Sequence, residues 1–336
     1  MQLIELDFLG QPLWMWLLYL AFVFVLLILD LGVLSRKHRE ISVSDSLKLS
    51  AFYIAMGVAF AGFVWWRMDS DAAVLYLTGY VIEKSLSLDN IFVIAMIFGY
   101  FSISQAYQHR ALVYGIIGVI VLRGAMIAAG SAIVAQFHWV LYLFAAFLVF
   151  TGIKMLMNGD EKFDVSENRV YKLLQRLLPV TRELHGDRFF VRLTAGQANG
   201  AAGAGQGVAT GTAEKAKLFA TPLFIALVMV EFVDLIFAVD SVPAIFSITT
   251  DPYIVFTSNI CAILGLRALY FALSAMLERF TLLKYALSAV LIFIGGKILV
   301  GEMLGLGKLP PLWSLSITLT ILAAGIVGSL VVTRKN

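Results

Sequence analysis

The amino-acid sequence predicts an all-α polytopic membrane protein with about nine transmembrane helices. Of its 336 residues 60% are hydrophobic and only 14% are charged, whereas soluble domains carry roughly 25% charged residues. The apolar residues fall into runs of about twenty, the length that a helix needs to cross the hydrocarbon core of a bilayer. The basic residues cluster in alternate connections between these runs, which is typical of a chain that crosses a membrane repeatedly.

Polar connections separate the predicted transmembrane segments, and the longest one follows the fifth segment. The region before the first segment contains Glu5 and Asp7 but no basic residue, so we expect that segment to be a retained helix rather than a cleaved signal peptide. The predicted segments are roughly 13–34, 46–66, 72–101, 111–136, 139–157, 219–248, 253–277, 285–300 and 312–333.

Lysines and arginines predict the orientation of the chain. Most of them lie in the connections after the first, third, fifth and seventh segments and in the C-terminal tail, whereas the opposite side holds only Arg67 and Lys308. Basic connections stay in the cytoplasm, so we predict an external N-terminus and a cytoplasmic C-terminus. In the long cytoplasmic loop, Arg169–Leu178 predicts an amphipathic interfacial helix, and Ala195–Thr212 predicts disorder because it has too few apolar side chains for a core.

The two halves of the chain match each other at three positions in the same order, one on each helix of a three-helix unit. Three crossings separate the first helix of one unit from the first helix of the other, so the second unit is predicted to be inverted. Inverted repeats are a transporter architecture in which the binding site lies near the bilayer midplane. The matching segments are Glu83–Asn90 with Asp234–Ser241, Val121–Arg123 with Gly265–Arg267, and Phe150–Lys154 with Phe293–Lys297.

The repeat divides the chain into five parts around a 3+3 core. These parts are two N-terminal transmembrane helices (1–71), the first repeat (72–157), a partly disordered cytoplasmic loop (158–218), the second, inverted repeat (219–303), and a C-terminal helix with its tail (304–336).

Acidic residues lie inside the predicted helices of both repeats. An acid near the bilayer centre costs on the order of 2.5 kcal/mol or more, so such residues indicate function or pairing. At 3.6 residues per turn, Glu83 and Asn90 share one helix face, and Glu231, Asp234 and Ser241 share another. The acids are Glu83, Asp89, Glu231, Asp234 and Asp240.

Asp89 and Asp240 point about 120° away from Glu83 and Asp234 on regular helices. Two arrangements remain open for them. Unwinding near Pro243 would turn Asp240 towards the other acids. Alternatively, each outlying aspartate pairs with a mid-helix arginine, in which case Asp240→Asn should lower stability and Asp234→Asn should not. The candidate intramembrane cations are Arg123, Arg267 and Lys84, the last of which adjoins Glu83 and could neutralise it.

The predicted ligands are carboxylate, hydroxyl and amide oxygens, which favour Mn²⁺, Mg²⁺ or Ca²⁺ over zinc or copper. The same carboxylates could carry protons, which would make the protein a proton-coupled exchanger. Cys261 is the single cysteine, so one chain can form neither a disulfide nor a multi-thiol metal site. The predicted metal-site residues are Glu83, Asp89, Asn90, Glu231, Asp234, Asp240 and Ser241.

Around these acids the sequence resembles the TerC family of bacterial and plastid membrane proteins, and most closely its Alx-like members. The resemblance implies manganese export from the cytoplasm, a setting in the bacterial inner membrane, and a metal site at Glu83, Asp89, Asn90, Glu231, Asp234 and Asp240. The motifs that carry the resemblance are Thr78–Asn90, Val230–Ala244, Thr249–Pro252, Leu264–Tyr270 and Phe280–Tyr285.

We therefore predict a carrier that exports manganese(II) by alternating access and is not an enzyme. Its expected partners are the transported ion and membrane lipid; we expect no nucleic acid and no permanently bound cofactor. A second interpretation is a membrane scaffold or insertion factor whose acids only hold helices together, a role suggested for plastid relatives. A membrane-embedded metallohydrolase fits less well, because the sequence has no His-Glu-x-x-His motif and no evident nucleophile–base pair.

Overall fold

The computed structural model describes residues 6–34, 43–157, 165, 168–181, 183–193, 217–273, 282–303 and 309–335. Two short antiparallel ribbons accompany the helices: β1 (Asp7–Phe8) with β2 (Gln11–Pro12), and β3 (Phe190–Leu193) with β4 (Lys217–Ala220). The helices are α1 (Leu13–Leu34), α2 (Val43–Arg67), α3 (Ser70–Tyr100), α4 (Gln105–Gln136), α5 (Val140–Met157), α6 (Arg169–Leu177), α7 (Pro222–Phe246), α8 (Pro252–Ile263), α9 (Leu266–Leu273), α10 (Leu283–Met303) and α11 (Pro311–Lys335).

Eight segments of the described helices are long and apolar enough to cross a membrane. They coincide with eight of the predicted segments and confirm an all-α polytopic membrane protein. The remaining predicted segment, 72–101, corresponds to α3, which has 31 residues and is more polar because it carries Glu83, Lys84 and Asp89. Its crossing, and the orientation of the chain, stay predictions. Within the loop, α6 matches the predicted interfacial helix in position, whereas 195–212 lies outside the described residues.

The chain divides into two compact units. The first comprises Met1–Phe92, Val119–Glu161 and Asp234–Asn336, and the second comprises Val93–Gly118 and Lys162–Val233. In the second unit, β3 and β4 join the end of the long loop to the start of α7. Of the predicted site residues, Glu231 lies in the second unit and the others lie in the first.

Buried tyrosines tie the helices of the first unit together. The hydroxyl of Tyr19 on α1 donates to the carbonyl of Thr257 on α8 at 3.1 Å. Tyr76 on α3 donates to the carbonyl of Gly57 on α2 at 2.9 Å. Because lipid is as apolar as a leucine side chain, helices in a bilayer associate through such hydrogen bonds and through close packing rather than through hydrophobic burial.

Helices α5 and α10 are the third helices of the two predicted repeats. They pack closely against each other, and each helix has a glycine at the contact. A methyl group on Gly152 would lie 2.7 Å from Ile292, and one on Gly295 would lie 2.9 Å from Val149. Gly152 and Gly295 are 143 residues apart, and so are Val149 and Ile292. Each contact is therefore the counterpart of the other, with the two helices running in opposite directions. Such reciprocity is what an inverted repeat predicts, and the repeat itself stays a prediction.

The predicted segment 253–277 is not one helix, because the chain breaks between α8 and α9. Gly265 adopts φ +77°, a left-handed conformation that glycine tolerates best. A methyl group there would also lie 2.5 Å from the Cβ atom of Tyr53 on α2. Hydropathy did not reveal this break, since every residue around it is apolar apart from Arg267.

Lys84 on α3 satisfies the carbonyl groups that the break leaves exposed. Its Nζ donates to the carbonyls of Ala262 at 2.8 Å and Leu264 at 3.2 Å. The predicted ion pair of Lys84 with Glu83 is thus wrong: among the described residues, the ion pair of Glu83 is with Arg123. Non-helical backbone is tolerated at membrane depth only where such partners exist.

We expect Gly265→Ala to destabilise the protein and Gly62→Ala to leave it unchanged or more stable. An alanine in the left-handed region costs about 1–2 kcal/mol before the clash with Tyr53 is counted. Gly62 lies inside α2 with no neighbouring atom within 4 Å of an added methyl group, and alanine gains up to about 1 kcal/mol over glycine in a helix. Thermal unfolding of the detergent-solubilised variants measures both effects. Equal melting of Gly265→Ala and wild type would show that glycine does not fix the break.

Candidate functional site

The guanidinium of Arg123 on α4 lies between two acids in the first unit. Arg123 is only 1% exposed. Its Nη1 donates to Glu83 on α3, while its Nη2 and Nε donate to the two carboxylate oxygens of Asp234 on α7 at 2.9 and 3.0 Å. The first helices of the two predicted repeats thus meet at one cation, and the predicted convergence of Glu83 and Asp234 is found.

Two neutral side chains extend the contacts of the guanidinium. Ser241 on α7 accepts from Arg123 Nη1 at 3.2 Å, and the Oδ1 atom of Asn259 on α8 accepts from the same nitrogen at 3.4 Å. Asn259 also donates through Nδ2 to the second carboxylate oxygen of Glu83 at 2.9 Å. Arg123 is therefore surrounded by oxygens from three helices other than its own.

Asn90 on α3 completes the arrangement. Its Nδ2 donates to Asp234 at 3.1 Å, while Ser241 accepts from the Nη1 atom of Arg123 that also donates to Glu83. Asn90 is 151 residues from Ser241, as Glu83 is from Asp234, so the site contains both members of two matching pairs of positions. The Oδ1 atom of Asn90 is buried without a hydrogen-bond partner in the described part of the chain. We call the oxygen-bearing residues around Arg123 the cage: Glu83, Asn90, Asp234, Ser241 and Asn259.

Electrostatics explains why these groups are found together. Removing two carboxylates from water is costly, and placing them side by side adds repulsion. The charge of Arg123 offsets both effects, and its planar fork allows a two-point contact with Asp234. The guanidinium therefore links α3, α4 and α7, and Asn259 adds α8.

The predicted pairing of an arginine with Asp240 is not found among the described residues, and the predicted pairing of an arginine with Asp89 stays a prediction. Arg123 binds Glu83 and Asp234, the acids that were expected to be free of arginine. Arg267 on α9 forms its ion pair with Asp30 of α1 at 2.9 Å, and both side chains are buried. Pairing between helices depends on which faces pack together, and helix periodicity alone does not contain that information.

Asp240 lies outside the cage. Its carboxylate accepts a hydrogen bond from Thr151 on α5 at 3.4 Å, and none of the ion pairs between described residues includes it. Helix α7 continues through Pro243 without interruption, so the unwinding that would redirect Asp240 is not present in this structure. Asp89 belongs to α3, but its side chain lies outside the described residues.

Glu231 lies in the second unit and contacts α4. Its carboxylate packs against α4 where that helix has glycines: a methyl group on Gly115 would lie 3.0 Å from Oε1, and one on Gly118 would collide with Oε2. The absence of side chains at these two positions makes the space that the carboxylate occupies. Its predicted role as a metal ligand stays a prediction.

Two residues of these buried networks were missed from the sequence. Asn259 is a polar amide within an apolar segment, a type of residue that hydrogen-bonds across helices in membranes. Asp30 is an acid inside the first predicted span. The free-energy cost of an acid within the bilayer applies to it as it does to the acids of the repeats. Asp30 lies on α1, outside the two repeats, so the match between the two halves does not point to it.

The cage offers the oxygen ligands of a hard divalent cation. Among the described residues, no three histidine, cysteine, aspartate or glutamate side chains converge to hold a metal ion. The cage has two carboxylates, a hydroxyl and two amides, a set that Mn²⁺, Mg²⁺ and Ca²⁺ accept. In this conformation the guanidinium of Arg123 occupies the position between these oxygens.

Comparison with known proteins gives matches over most of the chain. Residues 68–336 match the profile described as "Integral membrane protein TerC family". An uncharacterized membrane protein of Rickettsia bellii is 44% identical over 321 residues, which covers 96% of this chain and 98% of the relative. A Salmonella typhi protein with the name "Putative membrane-bound redox modulator Alx" is 42% identical over 87% of this chain and 86% of its own length. No solved structure matches the chain.

The geometry reverses the expected effects of two aspartate substitutions on stability. Asp234→Asn removes one partner of a buried ion pair and should cost about 3–5 kcal/mol. Asp240→Asn loses one long hydrogen bond and should cost less than about 1 kcal/mol. Thermal unfolding of the metal-free, detergent-solubilised variants tests this order. A larger loss for Asp240→Asn would mean that Asp240 has the more important partner.

Proposed function

This chain belongs to the TerC family of integral membrane proteins, and we propose that it exports divalent metal ions, chiefly Mn²⁺, from the cytoplasm. The single observation that carries the proposal is the cage, in which two carboxylates and three neutral polar side chains surround one cation position. Intramembrane acids that face the interior of a helix bundle mark ion pathways in membrane proteins. Alternating exposure of this position to the two sides of the membrane would carry the ion across.

The ligand chemistry supports a hard cation. Carboxylate, hydroxyl and amide oxygens suit Mn²⁺, Mg²⁺ and Ca²⁺, whereas zinc and copper prefer imidazole or thiolate. The thiol of Cys261 contacts the hydroxyl of Tyr19 at 3.5 Å, in a separate tyrosine cluster. The choice of Mn²⁺ among the hard cations rests on the resemblance to the family's exporters.

The reciprocal contacts support alternating access. Helices α5 and α10 pack on each other through equivalent glycines, and Glu83 and Asp234, which occupy matching positions in the two halves, bind the same guanidinium. In transporters with inverted repeats, two conformations related by the pseudo-two-fold axis expose one site to opposite sides of the membrane. A site made of reciprocal contacts would keep its ligands in both conformations.

A scaffold or insertion factor is the second candidate function. The observation that favours it is the complete pairing of Arg123 with Glu83 and Asp234, which stabilises the helices without any metal ion. A redox role, as in the name of the Salmonella typhi relative, would need a mechanism other than an intramolecular disulfide, because Cys261 is the only cysteine. Metal flux separates the carrier from both.

We expect reconstituted protein to move Mn²⁺ across proteoliposome membranes and Glu83→Gln to reduce the flux by at least about tenfold, since it removes a ligand charge. Asp30→Asn is the matched control, because it neutralises a buried acid that pairs with an arginine outside the cage. Parallel assays with Mg²⁺, Ca²⁺ and Zn²⁺ define selectivity. The proposal fails if wild-type vesicles move no more Mn²⁺ than protein-free vesicles.

The carrier and the scaffold also differ in cells. For a carrier, Glu83→Gln and the control Asp30→Asn both break a buried ion pair, but at equal accumulation in the membrane only Glu83→Gln should fail to protect cells from excess manganese. For a scaffold, loss of protection should accompany loss of accumulation or assembly. Immunoblotting of membranes beside growth in manganese distinguishes these outcomes.

We further propose an inner-membrane location, which the bacterial relatives support, with the N-terminus outside and the C-terminus in the cytoplasm, which the lysine and arginine distribution supports. Cysteines introduced as Ser70→Cys and Gly200→Cys report the two sides, and the native Cys261 is buried. An impermeant maleimide should label Ser70→Cys in intact cells and Gly200→Cys only after lysis. Labelling of Gly200→Cys in intact cells would mean the opposite orientation.

A further inference from the structure

We propose that Arg123 is an exchangeable occupant of the cage: its guanidinium leaves when a divalent cation binds and returns when the cation departs. The inference rests on the proposed transport function and adds to it the cation that fills the site between transport events. Arg123 would then be a built-in competitor of the substrate rather than a fixed structural link.

The first argument is geometric. All three guanidinium nitrogens of Arg123 are bonded to oxygens of the cage: Nε and Nη2 to Asp234, and Nη1 to Glu83, Ser241 and Asn259. Both oxygens of Asp234 are used in this way. A metal ion that took these oxygens as ligands would have to replace the guanidinium, so the two cations exclude each other.

The second argument is the charge of the site. A divalent cation neutralises the two carboxylates of Glu83 and Asp234 by itself, and a guanidinium added to it would leave a buried excess of positive charge. A cage without any cation would hold two unpaired carboxylates side by side, which is also unfavourable. Occupation by one cation at a time, either the metal ion or Arg123, avoids both states.

Asn90 supplies an independent observation that points to a second occupant. It is 3% exposed, and its Oδ1 atom has no hydrogen-bond partner among the described residues although its Nδ2 binds Asp234. Buried polar atoms are nearly always satisfied, so one beside a cluster of oxygens indicates a missing partner. The guanidinium does not use this oxygen, and a metal ion could.

The helices that provide the ligands are not the helix that provides the arginine. Glu83 and Asn90 lie on α3, Asp234 and Ser241 on α7, and Asn259 on α8. Arg123 reaches the cage from α4 on a flexible three-methylene stem. Withdrawal of its side chain, or a shift of α4, would therefore free the position without moving any ligand.

Mn²⁺ titration of the purified protein tests the exchange. Removal of the competing cation in Arg123→Gln should lower the Kd for Mn²⁺ on the order of tenfold, the scale of ordinary coupling between two binding events. The matched control is Arg267→Gln, which breaks the buried pair with Asp30 outside the cage and should leave the Kd unchanged. An unchanged or higher Kd in a folded Arg123→Gln protein overturns the inference.

A second experiment decides the question even if Arg123→Gln folds poorly. In Arg123→Ala, guanidinium chloride at tens of millimolar should bind the vacated position, raise the melting temperature and raise the apparent Kd for Mn²⁺ competitively. The same salt should do neither in wild type, and methylammonium chloride is the control for ionic strength. Absence of competition between guanidinium and Mn²⁺ in Arg123→Ala overturns the inference.

The two proposals fail in different ways. If wild-type protein neither binds nor transports a divalent cation, the transport function falls and this inference falls with it. If wild type transports Mn²⁺ but the arginine variants bind it no more tightly, transport stands and only the exchange is wrong.

Discussion

A carboxylate inside a bilayer needs a counter-charge, and in this protein one guanidinium serves two carboxylates. Arg123 holds Glu83 and Asp234, and through them it connects α3, α4 and α7, while Asn259 adds α8. Helix association in lipid gains little from hydrophobic burial. Directional contacts such as this one and the tyrosine hydrogen bonds therefore select the arrangement of the first unit. The apolar residues of the helices pack so that these few polar side chains can contact one another.

Much of the fold could be predicted because hydropathy and helix length respond to the same constraint, the thickness of the bilayer. The predicted segment 13–34 coincides with α1, and 139–157 nearly coincides with α5. The division of 253–277 into α8 and α9 could not be predicted in this way. It depends on the φ angle of Gly265 and on the close approach of Tyr53, neither of which changes the mean hydropathy.

The site residues that could be predicted are those at matching positions in the two halves of the sequence. Equivalent positions in the two halves identified Glu83 with Asp234 and Asn90 with Ser241, and these four residues do meet. Their partners were not predictable, because equivalent residues need not have equivalent surroundings. Arg123 and Arg267 occupy matching positions, yet the first binds acids of both repeats and the second binds Asp30 on a helix outside them. Asn259 has no counterpart among the matching motifs, and its role depends on the packing of α8 beside α3, where it donates to Glu83.

Consecutive residues of α3 contact different parts of the first unit. Glu83 binds Arg123, and its neighbour Lys84, about 100° further round the helix, binds the carbonyls of Ala262 and Leu264 at the break between α8 and α9. A rotation of α3 that took Glu83 out of the cage would also draw Lys84 away from these carbonyls. The geometry around Arg123 and the geometry of the chain break at Gly265 are therefore mechanically coupled through one turn of α3.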